Sequence, residues 1–221
     1  MFCQKNVLPL LCHSKYFYME EKNYLQDISD IKNMMNRSSQ FISLSGLSGV
    51  LAGVYGLIGA YVANALIAKN ESGYVTLESA TFKAIAATAA IVLLLSVATA
   101  FIMTAYKARR QGEKVWNSTA RRLMVNFLIP LVTGGVFALL LLRDEMYGMI
   151  APVTLIFYGL ACVNASKYTL RDVRYLGITV VILGLVATAF LAYGLEFWAL
   201  GFGVCHIIYG SIMYFKYDRK N

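Results

Sequence analysis

Six stretches of this chain, near 41–68, 83–106, 123–142, 147–166, 175–193 and 197–215, carry no Asp, Glu or Arg, and Lys83 at one edge is their only lysine. Each is long enough to cross a hydrocarbon core about 30 Å thick at 1.5 Å of helical rise per residue. Backbone groups cannot be left unpaired in lipid, so such segments must be helices or strands of a closed barrel. A barrel requires alternation of apolar and polar residues, which is absent here. The expected fold class is therefore an all-α polytopic membrane protein of six transmembrane helices. Composition agrees: hydrophobic residues make up 58% and charged residues 14%, against about 25% charged in soluble domains.

A net charge of +8 would suit nucleic acid if it formed one patch, so its distribution matters. The N-terminal arm carries Lys5, Lys15, Lys22, Lys32 and Arg37, and the second loop carries Lys107, Arg109, Arg110, Lys114, Arg121 and Arg122. The fourth loop adds Lys167, Arg171 and Arg174, and the tail adds Lys216, Arg219 and Lys220. These 17 of the 20 basic residues alternate onto one side, leaving Lys69, Lys83 and Arg143 opposite. The positive-inside rule then puts both termini in the cytoplasm, with 70–82, 143–146 and 194–196 outside. The pattern is topological and implies no nucleic acid. Tyr147, Tyr193 and Trp198 near the outer ends, and Trp116, Tyr168 and Tyr217 near the inner ends, fit aromatic belts.

The expected domains are 1–18, which reads as an over-extended start before Met19; 19–40, a cytoplasmic juxtamembrane segment; 41–217, the six-helix domain; and 218–221, a tail. Within the arm, Tyr24, Ile28, Ile31 and Met35 recur at helical spacing, as in an amphipathic helix lying on headgroups or pairing with a partner. The loop 107–122 reads as a topology anchor, or as a site for anionic lipid headgroups or a partner. At an offset of 51, EMYGMIAPVTLIFYG (Glu145 to Gly159) aligns without a gap on EFWALGFGVCHIIYG (Glu196 to Gly210), sharing Glu, Val, Ile, Tyr and Gly. Spans three and four thus read as one hairpin, and five and six as a parallel copy.

In the first span small residues fall at Gly46, Gly49, Gly53, Gly56, Ala60 and Ala63, in steps of three and four. A mean period of 3.5 keeps one face against a neighbour, and missing side chains let backbones approach closely. The seam predicts helix packing, either within the chain or between two copies, and so a possible homo-oligomer or membrane partner through this helix.

The run RSSQFISLSGLSG, Arg37 to Gly49, with the preceding I-x-x-M-M at Ile31 to Met35, is similar to the N-terminal signature of a group of uncharacterised bacterial inner-membrane proteins. The similarity covers about Tyr24 to Gly59. It implies the bacterial cytoplasmic membrane and a start near Met19, and it supplies no catalytic residue.

Ionisable groups inside a membrane are expensive and usually functional. His206 is the one in these spans, and it shares a stripe with Ala199, Gly203, Gly210 and Met213 that should face a closely approaching helix. It reads either as a neutral imidazole bonded between helices, or as a proton relay or ligand contact. Asn126, Pro130, Thr133, Gly134 and Gly135 make the third span the candidate for a broken helix lining a cavity. His206, Asn126 and Thr133 together form the candidate intramembrane polar site. Asn64 and Asn164 read as capping or interfacial residues, and Tyr158 and Tyr209, equivalent in the repeat, as interfacial anchors.

No metal or cofactor is implied. Cys3, Cys12, Cys162 and Cys205 include no C-x-x-C pair, and haem held between two histidines is not expected because His13 precedes the first span. Nucleotide-loop, serine-hydrolase and zinc-protease motifs are also absent. The expected role is a non-enzymatic membrane component: a scaffold, sensor or accessory subunit. The alternatives are a small-solute transporter or channel built on hairpin repeats and, third, an intramembrane enzyme.

Overall fold

The computed structural model describes residues 44–70, 77–110, 112 and 115–219. The chain divides into units 1–40 and 41–221, and every described residue lies in the second. The expected over-extended start, the amphipathic arm and Lys114 fall outside the described residues. Within them the fold is all helical, and six helices are long and apolar enough to cross a membrane. They are α1 (Gly46–Ala68), α2 (Ala80–Arg110), α3 (Ser118–Arg143), α4 (Ile150–Ala165), α5 (Asp172–Ala189) and α6, the span Leu191–Asp218.

Several boundaries differ from those expected, for local reasons. Helix α1 starts at Gly46, after the extended Ser45, rather than at 41. Helix α2 continues to Arg110, so Lys107, Arg109 and Arg110 form its last turn rather than a loop; cations there complement the negative end of the helix dipole. Arg121 and Arg122 likewise lie in the first turns of α3. The expected outside loop at 194–196 is helical, because Leu191–Tyr193 form a short 3₁₀ turn and helix resumes at Gly194. The α3–α4 turn is closed by Met146 N–H donating to the Leu141 carbonyl at 2.9 Å, with Glu145 at φ 57°. This is a Schellman-type stop with glutamate where glycine is usual. Glu196, its counterpart in the repeat, sits in a helical turn instead.

The helix starts are capped from the sequence. Ser79 Oγ accepts Phe82 N–H at 3.1 Å and Asn117 Oδ1 accepts Ala120 N–H at 2.7 Å. For α1 the Ser45 side chain makes no such bond; Asp218, at the other end of the chain, accepts Gly46 N–H at 3.0 Å. The starts of α1 and α5 and the ends of α2 and α6 therefore share one end of the bundle, here the basic end, opposite the far end where α3 turns into α4.

Two groups of three helices emerge from the close approaches. In one, α1 packs on α2 and on α6; in the other, α4 packs on α3 and on α5. Glycines set these distances. A Cβ on Gly53 would lie 2.7 Å from the Gly203 carbonyl oxygen, and one on Gly210 would lie 2.6 Å from Val50 N. In the second group, Gly159 and Gly177 face each other, each with the other's carbonyl oxygen within 2.7 Å of a built Cβ. Lipid tails are as apolar as leucine, so this dispersion between backbones holds membrane helices together where hydrophobic drive does not.

Candidate functional site

His206 is 7% exposed and sits in α6 just after Ala199–Cys205, a stretch wound as π-helix. Its stripe-mates Gly203 and Gly210 approach α1 as expected, but the imidazole turns to α4. Its Nδ1 lies 2.9 Å from the Gly201 carbonyl oxygen and its Nε2 lies 2.6 Å from the Tyr158 hydroxyl. A carbonyl can only accept, so Nδ1 carries the proton; in the neutral ring Nε2 then accepts from the tyrosine O–H. Both ring nitrogens are satisfied inside the protein.

Tyr158 is therefore no interfacial anchor. Its ring lies 4.9 Å from that of Phe202, and it meets Phe127 edge-on at 6.1 Å. Phe202 in turn stacks against His206 at 6.0 Å and packs on Trp198 at 4.9 Å. Tyr209, its counterpart in the repeat, bonds Thr179 of α5 at 3.2 Å. The repeat alignment signalled both tyrosines; what it lacked was a partner to explain them.

The expected trio of His206, Asn126 and Thr133 does not converge. Thr133 is exposed, and its hydroxyl donates to the Ile129 carbonyl at 2.8 Å. Asn126 belongs to a different device. Helix α3 runs unbroken through Pro130, although proline has no N–H to give the carbonyl four residues earlier. That carbonyl is Asn126 O, and Asn164 of α4 donates to it at 2.9 Å. Asn126 Nδ2 meanwhile donates to Arg122 O at 2.8 Å. A side chain from the neighbouring helix thus replaces the lost backbone donor, as membrane proteins require of any interior proline. Asn164 is this donor, not an interfacial cap. Gly134 brings α3 against Phe157, whereas a side chain on Gly135 would meet open space.

The α1 seam splits between two neighbours of the same chain. Gly46, Gly49, Gly53 and Gly56 lie against α6, while Gly59, one position before Ala60, lies against Val92 of α2. Ala60 and Ala63 are buried. Along its stripe the seam is occupied within the chain.

At the basic end, Lys107 is partly buried against Asp218, 2.6 Å from Oδ1, and also donates to Leu44 O at 3.1 Å. It faces inward, unlike the exposed Arg109, Arg110, Arg121 and Arg122. Two residues earlier in α6, Lys216 pairs with Asp172 of α5 at 3.0 Å. No group of three or more metal-binding side chains occurs among the described residues, and Cys162 and Cys205 are free thiols. Comparison with known protein families, curated proteins and solved structures returns no match.

Six helices long and apolar enough to cross a membrane mark the chain as an integral membrane protein. Between its α4 and α6 lies an aromatic cluster around one histidine, whose ring nitrogens are engaged by internal hydrogen bonds.

Proposed function

We propose that this protein is a non-enzymatic component of a bacterial cytoplasmic membrane, a scaffold, sensor or accessory subunit, with its basic end in the cytoplasm. The observation that carries the reading is the state of His206. Both nitrogens are engaged by Gly201 and Tyr158, which supports a bridging role and leaves the neutral ring no free acceptor for a solute or proton donor. The exposed Arg109, Arg110, Arg121 and Arg122 support contact with anionic headgroups or an acidic partner. With the α1 seam occupied by α6 and α2, self-association would have to use another face.

A second reading, a small-solute transporter or channel, draws on one feature. The π-wound stretch Ala199–Cys205 immediately precedes the buried histidine, and such turns recur at functional sites. His206→Gln separates the two, because it keeps a donor and an acceptor but lacks the titration of imidazole. We expect the variant to insert, fold and retain the cellular phenotype, with a stability loss near the membrane average of about 0.6 kcal/mol per interhelical hydrogen bond. A stably folded variant without the phenotype would put the transporter ahead.

The orientation has its own test. A cysteine replacing Ser72 should react with an impermeant thiol reagent in intact cells, and one replacing Ser118 should not. Equal labelling of both would overturn the topology.

A further inference from the structure

We propose that the basic end, at the corner where α2 passes into α3, selects phospholipids with anionic headgroups. Arg109, Arg110, Arg121 and Arg122 hold the phosphates, and the acyl chains lie along the apolar helix faces that run into the membrane from them. This inference rests on the reading that the exposed arginines contact an anion, and it is independent of the role of His206.

The first observation is how the charges of this end are shared out. Its described carboxylates, Asp172 and Asp218, are each taken by a lysine of the chain itself, Lys216 and Lys107. Of the cations left exposed and without an ion pair among the described residues here, every one but Lys167 is an arginine, although lysines outnumber arginines in the chain. Orientation in the membrane does not account for this division, because lysine and arginine serve the positive-inside rule alike. Phosphate does, because a guanidinium presents a planar fork to two phosphate oxygens at once and an ammonium does not. Helix stability does not account for all four arginines either. Arg109 and Arg110 suit the negative end of α2, but Arg121 and Arg122 oppose the dipole in the first turns of α3, where no acidic residue offsets them.

The second observation is what lies toward the membrane centre from these charges. On α2, Ile102, Tyr106 and Arg110 follow one another in steps of four and so share a face; on α3, Arg121, Val125 and Ile129 do the same. All six are exposed. Other helices leave these faces uncovered: α2 packs on α1, α3 packs on α4 and the turns flanking it, and neither packs closely on the other although seven residues join them. Trp116, in that connection, is 64% exposed. An indole prefers the depth of the headgroups, which sets the neighbouring arginines at the level of the phosphates. A soluble acidic protein would meet the arginines but not the apolar faces below them, whereas an anionic phospholipid meets both.

The test uses the full chain reconstituted in bilayers, with Trp198→Phe leaving Trp116 as the single tryptophan and brominated acyl chains as quenchers. In mixtures with ordinary phosphatidylcholine, brominated phosphatidylglycerol should quench Trp116 at a several-fold lower mole fraction than brominated phosphatidylcholine. Arg110→Gln with Arg121→Gln should abolish that preference, and Arg110→Lys with Arg121→Lys should keep only part of it. Arg143→Gln, at the far end, should change nothing. Equal quenching by the two lipids in the parent chain would overturn the inference and leave an acidic partner as the anion. An undiminished preference in the lysine pair, or an equal loss in Arg143→Gln, would also overturn it, since net charge alone would then attract the lipid. Loss of the preference in inorganic phosphate, but not in sodium chloride of the same ionic strength, would make free phosphate the occupant in place of the lipid. None of these outcomes involves His206, so the scaffold reading, tested by His206→Gln, stands or falls separately.

Discussion

Helix α6 meets three helices and has two ways of holding them. Against α1 it presents Gly203 and Gly210, which meet Gly46, Gly49, Val50 and Gly53 at backbone distance. Against α4 and α5, beyond Gly201, it presents His206, Tyr209 and Lys216, which reach across to Tyr158, Thr179 and Asp172. The first contact depends on atoms that are missing, the second on atoms that are present. Any added group damages the first; only removal of a specific group damages the second.

The largest expected effect follows from adding a side chain to the glycine contact. Gly53→Leu would drive carbon into the Gly203 carbonyl and the Ile207 backbone nitrogen, 2.7 and 2.9 Å from a built Cβ. Neither can move without shifting a helix. Overpacking of this kind costs about 1–3 kcal/mol. Val54→Leu, on the partly exposed neighbouring position, and Gly135→Leu, with open space around it, should each stay within about 0.5 kcal/mol. Unfolding in detergent micelles measures all three, and equal stabilities would mean that the α1–α6 contact is not set by its glycines.

A smaller effect comes from removing a donor. Asn164→Leu strands the Asn126 carbonyl that Pro130 cannot serve, at an expected cost of about 1 kcal/mol, above the membrane average because a part-buried acceptor inside a membrane span is left unpaired. Pro130→Ala restores an N–H to the α3 ladder. In that background Asn164→Leu should cost less than about 0.5 kcal/mol. A double-mutant cycle measures the coupling, and strict additivity would break the link between proline and asparagine.

Much of the first contact was legible in the sequence and little of the second. Helix count follows from segment length and charge, and the steps of three and four from Gly46 to Ala63 identify a packing face without naming what packs there. Side-chain bonds between distant helices have no such period. Pro130 shows the division clearly. That it orphans the Asn126 carbonyl follows from helix geometry, but that Asn164, 38 residues on, supplies the donor depends on how α3 and α4 are rotated. Asp218 is a harder case, since a residue near the chain end capping α1 leaves no local signal. The repeat misled in one respect, because equal sequence positions suggested equal roles for Tyr158 and Tyr209.

Those two tyrosines sharpen the comparison to its finest point. The Thr179 hydroxyl already donates its one proton to the Tyr175 carbonyl at 2.9 Å, so Tyr209 must be the donor in their 3.2 Å bond. Tyr209→Phe therefore leaves Thr179 with its own partner and should cost no more than about 0.6 kcal/mol. Tyr158→Phe removes the only partner of His206 Nε2 among the described residues and leaves a buried acceptor unpaired, which should cost about 1 kcal/mol. The difference of a few tenths lies within reach of reversible unfolding in detergent. His206→Leu added to Tyr158→Phe should recover part of the loss, since no unpaired nitrogen remains. If the two tyrosine variants are equally stable and the leucine brings no recovery, the hydrogen bond to His206 contributes nothing of its own, and at this point of the seam it is the aromatic packing around Phe202 that joins α4 to α6.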